Sequence, residues 1–268
     1  MSDPHRLSPD KKIRLSERST RGRDFCDDRS AAEDEFEQLR EEMIDLQNRL
    51  YAEGRRSLLV VLQAMDAGGK DGAIRNIFRG VNPQGVRVAS FKVPTHQELS
   101  HDYLWRTHQE TPAAGMFGVF NRSHYEDVLV VRVENLVPQD VWEPRFEHIN
   151  DFERMLSDSG TAILKFFLHI SKEEQKERFE DRLNRPEKHW KFSPQDLVKR
   201  EHWDAYQDAY EDVLNRCNTP YAPWYVIPAD QKWYRNLVIT RAIVETLREM
   251  DPQYPAAVED LDQYQVDD

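Results

Sequence analysis

The stretch Leu58–Gly72, LLVVLQAMDAGGKDG, limits what this chain can fold into more than any other. Leu58–Leu62 is an unbroken apolar run rich in branched residues, which suits a strand buried on both faces, as in a parallel sheet. It stops at Asp66-Ala67-Gly68-Gly69-Lys70-Asp71-Gly72, and a helical pattern with Ile74, Ile77 and Phe78 follows. Strand, glycine-rich turn, lysine, helix is the order of a phosphate-binding loop. Glycines let the backbone wrap so that several N–H groups point at one anion, and the helix N-terminus adds positive potential. Lys70 can then set a full charge on a phosphate oxygen. The stretch departs from G-x-x-x-x-G-K-[ST] at two places: Ala64 stands at the first glycine and Asp71 at the hydroxyl. Asp66 and Asp71 would repel a bare phosphate, and they make sense there if a divalent cation lies between. The alternative is a strand-to-helix turn that merely favours Asp and Gly.

The rest of the chain alternates in the same way. Strands are predicted at Val86–Phe91, Gly115–Phe120, Thr161–Ile170 and Pro223–Ile227. Helices are predicted over Ala31–Glu53, around Leu99–His108, after Asp127 through Val133, and over Arg145–Ser157, Lys172–Asn184, Trp203–Arg216 and Lys232–Met250. The expected fold is α/β: a parallel five-stranded sheet with helices on both faces, its ligand at the carboxyl ends of the strands. Residues 1–29 are basic, polar and aperiodic and read as an extended arm; residues 30–250 form one domain. Residues 251–268 form an acidic tail with Asp251, Glu259, Asp260, Asp262, Asp267 and Asp268 and no Lys or Arg. In Ala31–Glu53 an apolar stripe of Phe36, Leu39, Met43, Leu46 and Leu50 is expected to pack on the chain's own domain, a pairing surface being the alternative.

A net charge of −12 argues against general nucleic-acid or membrane-surface binding. Lys70 to Lys92 runs against it, with Lys70, Arg75, Arg79, Arg87 and Lys92 facing Asp71 alone, which suggests a local anion site. Cys26 and Cys217 lie far apart and without metal spacing. No signal peptide or run of membrane length is evident, so the cytoplasm is the expected location.

Converging strand ends bring Asp66, Lys70, Asn121, Arg122, Glu126 and Asp127 together. Phosphoryl transfer asks a protein for cations, positioning and a group that orients the nucleophile. Lys70 and Arg122 supply charge, Asp66 a metal ligand, and Asp127 a second ligand or an orienting base. The structural alternatives are a capping box between Ser123 and Glu126, and Asp127 as a partner of a helix dipole. Arg178 and Arg182 share one helix face. From Arg182 to Arg200 there are six Lys or Arg, Lys188 among them, and two acids. In a phosphotransferase such a segment, at about 178–200, is a lid that closes charge over phosphates; a solvated charged face is the alternative. Trp190, Trp203 and Trp224 could stack a base, although buried core aromatics are commoner.

At these residues the chain resembles the polyphosphate kinase 2 family. The motifs are Gln63–Gly72, Asn82-Pro83-Gln84-Gly85, Asn121-Arg122-Ser123-His124-Tyr125-Glu126-Asp127, Pro186-Glu187-Lys188-His189-Trp190-Lys191 and Ala222-Pro223-Trp224. The resemblance implies a P-loop, thymidylate-kinase-like core with a helical lid, moving phosphate between inorganic polyphosphate and nucleotides with Mg²⁺ or Mn²⁺. It implies that the loop (Ala67, Gly68, Gly69, Lys70, Asp71, Gly72) and Arg75, Arg122, Arg178, Arg182 and Lys188 bind phosphates. Asn82, Asn121 and Glu126 are nucleotide-site candidates, and Asp66 and Asp127 hold metal. Asn121 stands where other members have Asp, and the motif resembles the class III variant, which phosphorylates both monophosphates and diphosphates; there Asp127 replaces the missing carboxylate. Adenine nucleotides, with guanine as an option, and a homo-oligomer (dimer or tetramer) follow from the same resemblance. An ATP-dependent nucleotide kinase on the same fold and a non-catalytic polyphosphate or nucleotide sensor are the competing readings.

Overall fold

Ser57–Gln63 forms β1, buried at every position. Strands with one wet face alternate; this one has none, so it lies inside a sheet covered on both sides. A computed structural model describes residues 3–259, 263 and 264 of the chain. The other strands are β2 (Val86–Ser90), β3 (Phe117–Asn121), β4 (Thr161–His169) and β5 (Trp224–Pro228). All pair in parallel, in the order β2-β3-β1-β4-β5. The five expected strands are therefore present. β1 sits at the centre, where the chain passes from the β3 side to the β4 side, and at such a switch point the loops after the strands open a crevice. The register pairs Leu62 with Asn121 and with Phe166, and Ser90 with Asn121. The residues that follow β1, β2 and β3 therefore emerge side by side.

The α-helices are α1 (Arg29–Glu53), α2 (Lys70–Ile77), α3 (His96–Leu99), α4 (Trp105–His108), α5 (Val130–Val133), α6 (Gln139–Trp142), α7 (Arg145–Asp158), α8 (Lys172–Asn184), α9 (Pro194–Glu201), α10 (Trp203–Arg216) and α11 (Lys232–Met250). α1 begins on an Asp28 cap that accepts from Ala31 N, and stops at Gly54, whose φ of 63° only glycine adopts freely. Its apolar stripe packs on α11, as expected, and Arg241 and Arg248 of α11 pair with its Glu35 and Glu42. The segment after Asp127 is less regular than a single helix: His124–Asp127 is a 3₁₀ turn, followed by the one-turn α5. Trp203 and Trp224 are core residues, whereas Trp190 is 77% exposed with the Lys191 ammonium over its ring.

The N-terminal arm is tied down. Its polar composition hides three anchors, Leu7, Ile13 and Leu15, all buried. Leu7 N donates to Trp224 O and Val226 N to His5 O, so the arm lies antiparallel along β5 and covers an edge otherwise open to pairing. Ile13 and Leu15 then dock on α10 through Asn215 and Glu211. After α11 no helix or strand forms through residue 259; Asp260, Asp262, Asp267 and Asp268 of the acidic tail lie outside the described residues. Among the described residues no helix is long and apolar enough to cross a membrane.

Candidate active site

Ala64–Gly69 leaves the end of β1 and turns into α2 through two left-handed residues, Ala67 (φ 59°) and Gly69 (φ 98°). At Gly69 the turn has a second reason for glycine. A Cβ there would lie 2.3 Å from a guanidinium nitrogen of Arg235. That arginine, on α11, is almost fully buried and donates to Gly69 O at 3.1 Å and to its neighbour Asn236. Burial, and then the nearby Arg178, push its pKa down to about 9. Arg178 on α8 donates to Ala67 O at 2.9 Å and to Ala229 O at 2.6 Å, and pairs with Glu174. The two guanidiniums thus hold the carbonyl side of the loop from behind, which leaves its N–H side for an anion.

Lys70 is the first residue of α2. Its ammonium turns back and donates to Ala64 O at 2.9 Å. Burial, followed by the charge of Arg122, lowers its pKa to about 8, while Asp66, Glu126 and Asp71 pull it up. Asp66 follows β1 and Arg122 follows β3; Arg122 Nη2 donates to Asp66 Oδ1 at 2.8 Å and Nη1 to Glu126 Oε2 at 3.2 Å. Glu126, then burial offset by Asp66, act on Arg122, whose pKa is raised. Arg122 itself has a φ of 62°, a left-handed conformation that a β-turn glycine would adopt at no cost. Gln63 adds a bond to Glu126 Oε1 at 3.1 Å.

Asn121 donates to Asp71 Oδ1 at 2.7 Å. A carboxylate at 121 would set two like charges at hydrogen-bond distance, so the amide is the residue that keeps Asp71 paired here. Asp66, Lys70, Asp71, Asn121, Arg122 and Glu126 accordingly form one connected cluster, as the strand order requires.

Asp127 is the exception. Although it follows Glu126, it faces the other way, where Arg145 Nη1 donates to its Oδ1 at 3.1 Å and Arg106 lies 4.0 Å from its Oδ2. The 3₁₀ turn is the cause: consecutive side chains on it diverge by about a third of a turn. Burial raises the Asp127 pKa to about 6 against the pull of Arg145 and Arg106. Asp66 and Asp127 therefore do not form the paired carboxylates expected from the sequence; the acid that joins Asp66 on Arg122 is Glu126.

The cavity over the cluster is lined by Asp66, Arg122, Glu126, Asp196, Lys199, Arg200, Tyr206 and Tyr210, with Met65, Leu129 and Val130 on its apolar wall. Its cover is α9. Lys199 stands 4.0 Å from Asp66 and 3.8 Å from Glu134, and Asp196, whose pKa is raised by burial and by Asp66, is tied to Arg182 at 3.0 Å. The basic segment thus lies over the site, but the residues differ from those expected. Arg182 holds Asp196, Lys188 pairs with Asp181 on α8, and Arg178 braces the loop. None of the three lines the cavity. Arg75 is exposed on α2, and Asn82 caps the 3₁₀ turn Pro83–Gly85 by accepting from Gln84 N. Lys199, Arg200, Tyr206, Tyr210 and Arg235 were not singled out from the sequence. Lys199 and Arg200 belong to the basic run, but nothing in the run says which members point inward.

The turn 124–127 is held from below by a sealed ionic network. Glu153 and Lys165 are fully buried and paired at 2.5 Å. Tyr125 Oη donates to Glu153 Oε1 and accepts from Lys165, which also donates to Cys217 O. His124 completes the contacts of Glu153 at 3.2 Å.

Asp66 fits a magnesium ion. It is a hard oxygen ligand at the mouth of a phosphate loop, and Mg²⁺ commonly takes one or two carboxylates plus substrate phosphates and water. Among the described residues no group of three His, Cys, Asp or Glu forms a cage, and Mg²⁺ needs none.

The family model for polyphosphate kinase 2 matches residues 26–255. The chain belongs to this family. An AMP/ADP-polyphosphate phosphotransferase of Meiothermus ruber is 64% identical over 210 residues, 78% of this chain and 79% of that protein. An ADP-polyphosphate phosphotransferase of Rhodopseudomonas palustris is 47% identical over 227 residues, covering 80% and 78%. The crystal structure of polyphosphate kinase 2 from Arthrobacter aurescens TC1 superposes with a TM-score of 0.92 at 37% identity, over 99% of this chain and 93% of that one. Membership agrees with the strand order, the loop after β1 and the helical cover, and fixes the fold as the P-loop kinase-like one expected.

Proposed function

We propose that the protein transfers phosphate from inorganic polyphosphate to AMP and to ADP. The observation that carries the reading is the single cluster of Asp66, Lys70, Arg122 and Glu126 at the switch point, in a chain 64% identical to an AMP/ADP-polyphosphate phosphotransferase. In the reaction an oxygen of the acceptor's terminal phosphate attacks the end phosphorus of polyphosphate. The P–O bond to the next phosphate breaks, and a chain one unit shorter leaves. The loop N–H groups, Lys70 and Arg122 neutralise the polyphosphate end and its developing charge. Asp66 would hold magnesium, which when bound shields the phosphate oxygens. Lys199 and Arg200 add charge from the lid, and α9 excludes water. Asp127 keeps the role of orienting the acceptor, acting from the Arg106–Arg145 side and apart from Asp66.

An ATP-dependent kinase would use nucleoside triphosphate as donor, and Asp71 in place of the metal-binding hydroxyl speaks against it. The test supplies AMP, polyphosphate and Mg²⁺ with no other donor and reads ATP by luminescence. ATP formation is expected; formation only when a nucleoside triphosphate is added would overturn the reading. A homo-oligomer belongs to the same proposal, to be read by sedimentation.

A further inference from the structure

The lid and the phosphate loop meet at one side chain that no role above uses. Gln175 on α8 is 1% exposed, and both ends of its amide are engaged. Its Nε2 donates to Asp66 O at 2.9 Å, and its Oε1 accepts from Arg200 Nη1 of α9 at 2.8 Å. Arg200 Nη1 also donates to Lys172 O, at the start of α8, at 2.8 Å. One helix therefore holds both partners. Three residues on, Arg178 takes the next loop carbonyl, Ala67 O, at 2.9 Å, as the spacing along a helix face allows. The start of α8 is itself fixed, because Ser171 N donates to Asp230 Oδ1, and the other oxygen of that carboxylate accepts from Thr20 of the N-terminal arm. α8 is thus a fixed strut, and α9 is tied to it at one end by the Arg182–Asp196 pair and at the other by Arg200.

The residue type follows from these contacts. A side chain between a carbonyl and a guanidinium must donate at one end and accept at the other, and the glutamine amide does both without carrying charge. Both acceptors of Arg200, the amide and the Lys172 carbonyl, are neutral, and no carboxylate pairs with it among the described residues. Arg200 is therefore oriented without being neutralised, and keeps its charge for a phosphate. Asp66, whose backbone Gln175 holds, carries the carboxylate that fits magnesium. We propose that Gln175 is a positioning residue that couples closure of the lid to alignment of the phosphate loop, setting Arg200 and Asp66 together over the donor phosphates. This rests on the polyphosphate reading above and adds the part that registers lid against loop.

The experiment compares the full chain with Gln175→Met and Gln175→Glu. It reads hydrogen exchange without substrates, KM for polyphosphate and kcat with AMP, and a thermal melt of each variant. Methionine fills the same space without the polar atoms, whereas glutamate keeps the acceptor and neutralises Arg200. A hydrogen bond to a charged group is worth about tenfold or more. For Gln175→Met, exchange at residues 198–202 is expected to quicken by about tenfold while that of α10 and α11 stays at the parent's, and kcat to fall by a similar factor. For Gln175→Glu, the parent's protection at 198–202 is expected to persist, with KM for polyphosphate raised about tenfold. In an Arg200→Ala background, Gln175→Met should lower kcat by less than about twofold further, since the two residues act as a unit. Unchanged protection at 198–202 in a folded Gln175→Met, or losses that multiply in the double variant, overturns the proposal. Should Gln175→Met fail to fold, Gln175→Glu decides: faster exchange at 198–202 or an unchanged KM overturns it. A parent that makes no product from polyphosphate would instead sink the functional reading, and the exchange of the two variants would still decide whether Gln175 ties lid to loop.

Discussion

Lys70 shows how far a residue's position and its disposition can separate. Its place, after two glycines and at the start of a helix, is written in the motif. Its ammonium nevertheless bonds Ala64 O, because a buried cation takes the nearest acceptor that the fold offers. The functional consequence is a pH limit. With the pKa lowered to about 8 from the ordinary lysine value of 10.5, the charged form is the costly one in the fold. That cost is fully present below about pH 8 and is relieved as pH rises towards 10.5. Charge on the loop is lost over the same window. The value of kcat/KM for polyphosphate is therefore expected to fall as pH rises through about 8, and the residual activity of Lys70→Ala to lack that limb. An alkaline limb that persists in Lys70→Ala would assign it to another group. Asp127 and Glu126 carry a related lesson: the sequence presents both acids, and only the backbone of a 3₁₀ turn decides which one meets Arg122.

Among the elements, those with strong periodicity were legible. Lys172–Asn184, Trp203–Arg216 and Lys232–Met250 have the boundaries expected, and each strand lies within two residues of its apolar run. What escaped was convergence from distant helices. Arg106, Arg145 and Arg235 belong to no motif and no basic run, so nothing in the sequence marks them; they matter because α4, α7 and α11 bring them to the loops after the strands. The loop itself depends on this convergence. Gly69→Ala is expected to destabilise the fold by about 2 kcal/mol or more, about 1–2 from a left-handed Ala and the rest from displacing the buried Arg235. Transfer should fall with it. Urea unfolding and turnover together check this, and a variant with the parent's midpoint and rate would show that the loop tolerates another path.

For the molecule as a whole, the site rests on a largely apolar sheet into which Lys165 of β4 brings a fully buried charge, paired with Glu153 of α7. A buried ion pair contributes little net stability when intact, but removing one partner leaves a charge stranded. Lys165→Met should therefore cost about 3–5 kcal/mol, read as a lowered denaturation midpoint, and Lys165→Met combined with Glu153→Leu should recover much of it. A single variant as stable as the parent would show that Glu153 takes up a proton or another partner. The same network anchors the turn that carries Glu126 and Asp127, so the double variant is expected to recover stability without recovering rate. The most direct measurement follows labelled phosphate from ³²P-polyphosphate, with AMP, Mg²⁺ and no nucleoside triphosphate, by chromatography over time. The account predicts label in ADP first and then in ATP, with the polyphosphate shortening in step; label that never leaves polyphosphate would contradict it.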